Sequence, residues 1–124
     1  MNKMRKILIV DDEPNIVMSL EYTFKKNNYE VFIARDGQEA LEILKVQQPD
    51  IIILDVMMPM VDGFATIEQI KKDERLQHCK VIFLSAKNKE KDIERGLSLG
   101  ADLYMTKPFS VKKLVEQTNE LLTD

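Results

Sequence analysis

Five polar side chains stand at or just past the ends of short apolar runs. Asp11 and Asp12 follow Ile7–Val10, Asp55 follows Ile51–Leu54, Ser85 follows Val81–Leu84, and Lys107 comes two residues after Leu103–Met105. An ionised carboxylate at the end of a buried run is costly unless something pairs it. Three carboxylates held together repel, and at least one stays protonated, unless a cation neutralises them. Hard oxygen donors of this kind suit Mg2+, which takes one or two carboxylates along with waters and a phosphate oxygen. A lysine and a hydroxyl beside that cation can hold the remaining oxygens of a phosphoryl group, with an aspartate available as nucleophile. The chemistry this set describes is binding or transfer of a phosphoryl group. Asp55 alone says less, because it reads equally well as a loop-edge aspartate capping a backbone amide.

For these groups to meet, the runs that carry them must end along one edge. Ile51–Leu54 is too short for a helix and too uniformly apolar for a half-exposed strand, which is how a central parallel strand buried on both faces reads. Ile7–Val10 and Val81–Leu84 read the same way, and Tyr29–Ala34 and Leu103–Met105 are two further strands. Between them lie helical stripes. The first is Ile16, Val17, Leu20 and Phe24 after Pro14, ended by Asn27-Asn28, and the second is Ala40, Leu41 and Leu44 behind a capping pair, Asp36 and Glu39. Phe64, Ile67 and Ile70 follow the Asp62-Gly63 turn as the third. A charged helix from about Asn88 to Ser98, with Ile93 and Leu97 its clear apolar residues, is closed by Gly100, and a last one is capped by Ser110 with Val111, Leu114, Val115, Thr118, Leu121 and Leu122 on one face. Asp73 to His78 reads as a polar connection. Strict alternation of five strands and five helices predicts a single α/β domain over residues 1–124, a doubly wound parallel sheet with helices on both faces. In such a sheet the carboxyl ends of the strands form the ligand crevice, which is where all five polar groups arrive.

Four segments together resemble a known family: the acidic pair in IVDDEP, the stretch LDVMMPMVDG, the LSA after the fourth strand and the YMTKPF turn. In order and spacing they are similar to a response-regulator receiver domain of two-component signalling, of the kind typified by the bacterial chemotaxis regulator, over essentially the whole chain. The resemblance implies the flavodoxin-like strand order 2-1-3-4-5. It implies that Asp55 accepts a phosphoryl group from a sensor histidine kinase or phosphotransfer protein. Asp12, Asp55 and the Met57 carbonyl would bind Mg2+ directly, and Asp11 mainly through a water. Lys107 would pair with the aspartate and then with the phosphoryl group, across a Lys107-Pro108 bond expected to be cis. Ser85 and Tyr104 would be the switch pair, and Met57 and Lys87 the positions that tune dephosphorylation. Neither of these offers a carboxylate or amide to hold an attacking water, so slow self-dephosphorylation is expected. The readout face would be the fourth helix, fifth strand and fifth helix.

Blander readings stand beside these. Tyr104 by itself is a half-buried strand tyrosine, and Ser85 can simply cap an amide. Met57, Met58 and Met60 read as partly exposed loop contacts, Asp62 as a helix cap, Glu13 as a first-turn acid that could also reach the metal region, His78 as a solvated surface residue and Cys79 as buried and inert. With 124 residues, 44% hydrophobic and 31% charged, the chain can bury a real core. A net charge of −3 gives no reason to expect nucleic acid binding by this domain, and one cysteine excludes an intramolecular disulfide. The first ten residues lack a signal-peptide core, so a cytoplasmic domain with no membrane span is expected.

The expected partners are the kinase and a downstream protein or output domain, the chain being a monomer or a phosphorylation-dependent dimer. Within the family, the DNA-binding branch dimerises through acids and arginines on the readout face. Here Leu103 stands where a second acid is expected after Asp102, and Gln117 and Asn119 where basic residues often lie, which favours a stand-alone regulator over a receiver cut from a longer one. An enzyme with turnover is disfavoured: a Mg2+-dependent aspartyl phosphohydrolase would want an acid two residues after Asp55, and Met57 is there. A flavin or nucleotide binder is disfavoured by the acidic, glycine-free loop after the first strand.

Overall fold

The computed structural model describes residues 4–58 and 61–123. Pro59 and Met60 lie outside them, and with Met60 its reading as a loop contact. Five strands, β1 (Arg5–Val10), β2 (Tyr29–Ala34), β3 (Ile51–Leu54), β4 (Lys80–Ser85) and β5 (Leu103–Thr106), form one parallel sheet in the order β2-β1-β3-β4-β5. Five helices connect or follow them: α1 (Pro14–Lys26), α2 (Gly37–Leu44), α3 (Gly63–Lys72), α4 (Glu90–Ser98) and α5 (Val111–Leu121). The expected architecture and strand order are both present.

The uniformly apolar runs are explained by a core on each side of the sheet. Leu8, Val10, Ile52, Leu54, Val81 and Phe83 point to the side holding Ala40, Leu44, Phe64, Ile67 and Ile70, while Ile7, Ile9, Ile51, Ile53, Ile82 and Leu84 point to the side of Leu20, Phe24, Leu114 and Val115. Alternate residues of one strand thus enter opposite cores, and no position of β3 is left for a polar side chain.

The starts of α2, α3 and α5 are fixed by side chains that accept from otherwise orphaned amides, a contribution of about 1 kcal/mol each. Asp36 accepts from Glu39 N at 2.8 Å, Asp62 from Ala65 N at 2.9 Å and Ser110 from Lys113 N at 3.1 Å. All three caps were expected from the sequence.

Three features add to the sequence reading. The Asp73–His78 connection contains a 3-10 turn, Glu74–Leu76, and its Leu76 is buried in the core beside Leu44. From this turn Arg75, gripped by Asp73, reaches the Leu44 carbonyl at 2.9 Å and so caps α2 from outside. In α4 the buried residue is Gly96, whereas Leu97 is exposed. Asn119 does not share a face with Gln117. It accepts from the Tyr29 hydroxyl at 2.6 Å, while Gln117 lines a groove beside Leu103 and Tyr104, because positions two apart fall on opposite sides of a helix.

Candidate functional site

Register brings the site together. Val10 pairs with Leu54 across β1 and β3, so Asp11 and Asp55 leave neighbouring strands at the same level. The backbone ladder continues past both strands, with Asp11 N bonded to Ala34 O at 3.1 Å and Asp55 N to Val10 O at 2.9 Å. Ser85 ends β4 level with Thr106, and Lys107 N bonds to Ser85 O at 2.8 Å. The site residues therefore hang from the rigid end of the sheet. Gly63 allows α3 to start hard against it, since a Cβ there would lie 2.4 Å from the Asp55 carbonyl oxygen.

Asp11, Asp12 and Asp55 place carboxylate oxygens within 4.8 Å of one another. Asp11 and Asp55 are buried and Asp12 is exposed. Burial pushes the Asp55 carboxyl up to about 6; the Asp11 charge adds to the rise and Lys107 opposes it. Asp11 is raised as well, chiefly by burial, against bonds from Glu13 N and Lys107. Two buried acids held above their ordinary range mark a place short of positive charge.

Lys107 supplies part of that charge. Its Nζ lies 2.8 Å from Glu13 Oε1, 3.1 Å from Asp11 Oδ2 and 3.4 Å from Asp55 Oδ2. Burial disfavours the ammonium, but hydrogen bonds to Glu13 and Asp11 hold it above the usual lysine value. The Lys107-Pro108 peptide is cis.

The remaining sequence-selected residues surround this group. Met57 N donates to Asp55 Oδ1 at 3.1 Å, and the Met57 side chain is exposed. Ser85 is buried, and its Oγ accepts from Lys87 N at 3.1 Å, so it does cap an amide at present. The Tyr104 hydroxyl donates to the Lys87 carbonyl at 2.7 Å. Its ring packs on Phe83 with centroids 5.7 Å apart. Burial raises its pKa. Both side chains thus hold the same residue, Lys87, one through its amide and one through its carbonyl. Cys79 is buried, its thiol pushed up to about 11 by burial and directed at the Pro49 carbonyl, and His78 is exposed.

Two residues carry more than their sequence context implied. Glu13 makes the shortest of the three Lys107 contacts. Gly96 faces the rings of Phe83 and Tyr104, where a Cβ would come within 2.9 Å of both. The spacing DDE held a hint of the first; a glycine in a helix of charged residues was the only hint of the second.

A model of the response regulator receiver domain matches residues 7–119. The chain belongs to that family. It is 43% identical over 122 residues to the alkaline phosphatase synthesis transcriptional regulatory protein PhoP of Bacillus subtilis, covering 98% of this chain and 49% of PhoP. The receiver thus spans about half the length of that relative. Among solved structures, the chemotaxis response regulator CheY4 of Vibrio cholerae superposes with a TM-score of 0.90 at 28% identity, covering 96% of this chain and 99% of that one. The receiver domain of the Francisella response regulator 1452 gives a TM-score of 0.88 at 34% identity, covering 95% and 96%. The receiver's acidic cluster is compatible with Mg2+ and aspartyl phosphorylation: three carboxylates at one sheet edge, all hard oxygen donors, fit such a cation. None of its described helices is long and apolar enough to cross a membrane.

Proposed function

We propose that residues 1–124 act as one receiver domain whose phosphoacceptor is Asp55, supplied by a sensor histidine kinase or phosphotransfer protein in the cytoplasm. The observation that carries this reading is the buried Asp55 carboxylate, set among the oxygens of Asp11 and Asp12 with the Lys107 ammonium 3.4 Å away. An Asp55 oxygen attacks the phosphorus and forms a new P–O bond. The bond from phosphorus to the donor breaks, and its electron pair leaves with the donor, a histidine nitrogen or an acyl oxygen. Asp11, Asp12, Asp55 and the Met57 carbonyl would hold Mg2+, which when bound neutralises charge on the phosphoryl oxygens. Lys107 pairs with one of those oxygens, and the Ser85 hydroxyl leaves Lys87 N for another. Tyr104 shares Lys87 with Ser85, so that exchange disturbs β5 and α4, the surface that a partner reads. The Met57 and Lys87 side chains offer no carboxylate or amide to hold an attacking water, which favours a long-lived phosphorylated form.

The test is intact-mass spectrometry after incubation with Mg2+ and acetyl phosphate, with Asp55→Asn and chelator controls. One phosphoryl adduct that requires both Mg2+ and Asp55 is expected; an adduct that survives in Asp55→Asn removes the assignment. Identity to a transcriptional regulatory protein favours control of transcription through an output module over the stand-alone regulator suggested by Leu103 and Gln117.

A further inference from the structure

The Lys107 ammonium divides its three donors among carboxylates of very different standing. Asp11 and Asp55 are 3% and 4% exposed and belong to the shared-oxygen cluster, whereas Glu13 is 57% exposed and lies outside it. Yet the contact to Glu13, at 2.8 Å, is shorter than those to Asp11 at 3.1 Å and Asp55 at 3.4 Å. Glu13 occupies the N-cap position of α1 and makes no capping bond with its side chain, so its carboxylate is committed to Lys107 rather than to the helix.

A divalent cation seated among Asp11, Asp12 and Asp55 would share two of these carboxylates with the Lys107 ammonium, which contacts one oxygen each of Asp11 and Asp55. Like charges repel, so the ammonium must yield part of its hold on Asp11 and Asp55 as the cation arrives. Glu13 is the partner that this competition leaves untouched. We propose that Glu13 is a positioning residue that retains Lys107 at the rim of the site when Mg2+ displaces it from Asp11 and Asp55, and thereby strengthens Mg2+ binding. The inference rests on the reading of Asp11, Asp12 and Asp55 as the Mg2+ site. With Glu13 neutralised, the ammonium falls back on the two buried aspartates and competes harder for them.

The test is a double-substitution cycle on Mg2+ affinity, measured by calorimetry with Mg2+ alone, using Glu13→Gln, Lys107→Met and the pair. Glu13→Gln is expected to weaken Mg2+ about three- to tenfold with Lys107 present, and by less than about twofold in the Lys107→Met background, as coupled contacts behave. Equal weakening in both backgrounds would show that Glu13 acts on the cation by its charge alone, and no weakening in either would show that it does not act; both overturn the proposal. An unaltered chain that takes up no Mg2+ removes the metal site itself, a result the cycle separates from failure of the Glu13 role. Because Glu13 is exposed and caps no amide with its side chain, the Gln variant keeps the helix start, which an unchanged amide spectrum along α1 verifies.

Discussion

Asp55 combines burial with a charge that the fold resists. Its carboxyl titrates near 6 in the folded chain, against 3.8 when unburied and alone. Between these values the folded chain keeps a proton that the unfolded chain has released, so the stability contributed by this group falls as pH rises from about 4 to 6. At pH 7 the ionised group costs the metal-free fold about 3 kcal/mol, by the conversion of pKa shifts to free energy. Asp55→Asn should therefore stabilise the metal-free domain against urea at pH 7 and lose that advantage at pH 4. An equal effect at both values would contradict the burial argument. Residues such as Asp55, Ser85 and Lys107 were legible because each stands at or just past the end of an apolar run, which is a pattern in the chain. The pairing of Glu13 with Lys107 was not, since two residues 94 apart meet only after α1 and β5 are placed.

Among the elements, α4 departs most from what its sequence displays. Ile93 and Leu97 are its clear apolar residues, but Gly96 makes the close approach that lets the helix lie over Phe83 and Tyr104. Propensity alone favours Gly96→Ala by about 1 kcal/mol. Packing argues the other way, because the new methyl would meet both rings at 2.9 Å. Overpacking of this kind costs about 1–3 kcal/mol, and we expect it to win. The variant should unfold at lower urea, and the ring signals of Tyr104 should shift as its bond to Lys87 is lost. A more stable variant with Tyr104 unmoved would refute this. Capping residues, by contrast, were readable at once, since Asp62 and Ser110 act on amides three residues away.

At the scale of the molecule, alternation of strands and helices was enough to predict the layers, because parallel strands need crossovers and crossovers need helices. The strand order came from resemblance, since alternation leaves several orders open. Burial is uneven across the sheet: β3 and most of β1 and β4 are buried, while every residue of β5 is half-buried and α4 buries only Gly96. Regions with few buried contacts open first. Amide hydrogen exchange should accordingly be fastest in α4 and β5 and slowest in β1, β3 and β4. Uniform protection across the sheet would contradict a locally soft readout edge.

The alternation of β5 has a further consequence. Tyr104 packs into the core beneath α3 and α4, while Leu103 and Met105 on either side of it pack into the core beneath α1 and α5. A single displacement of this strand is thus broadcast on two channels at once. In the proposed switch, a listener that touches only α4 and another that touches only α5 would receive the same message, without either having to reach Asp55.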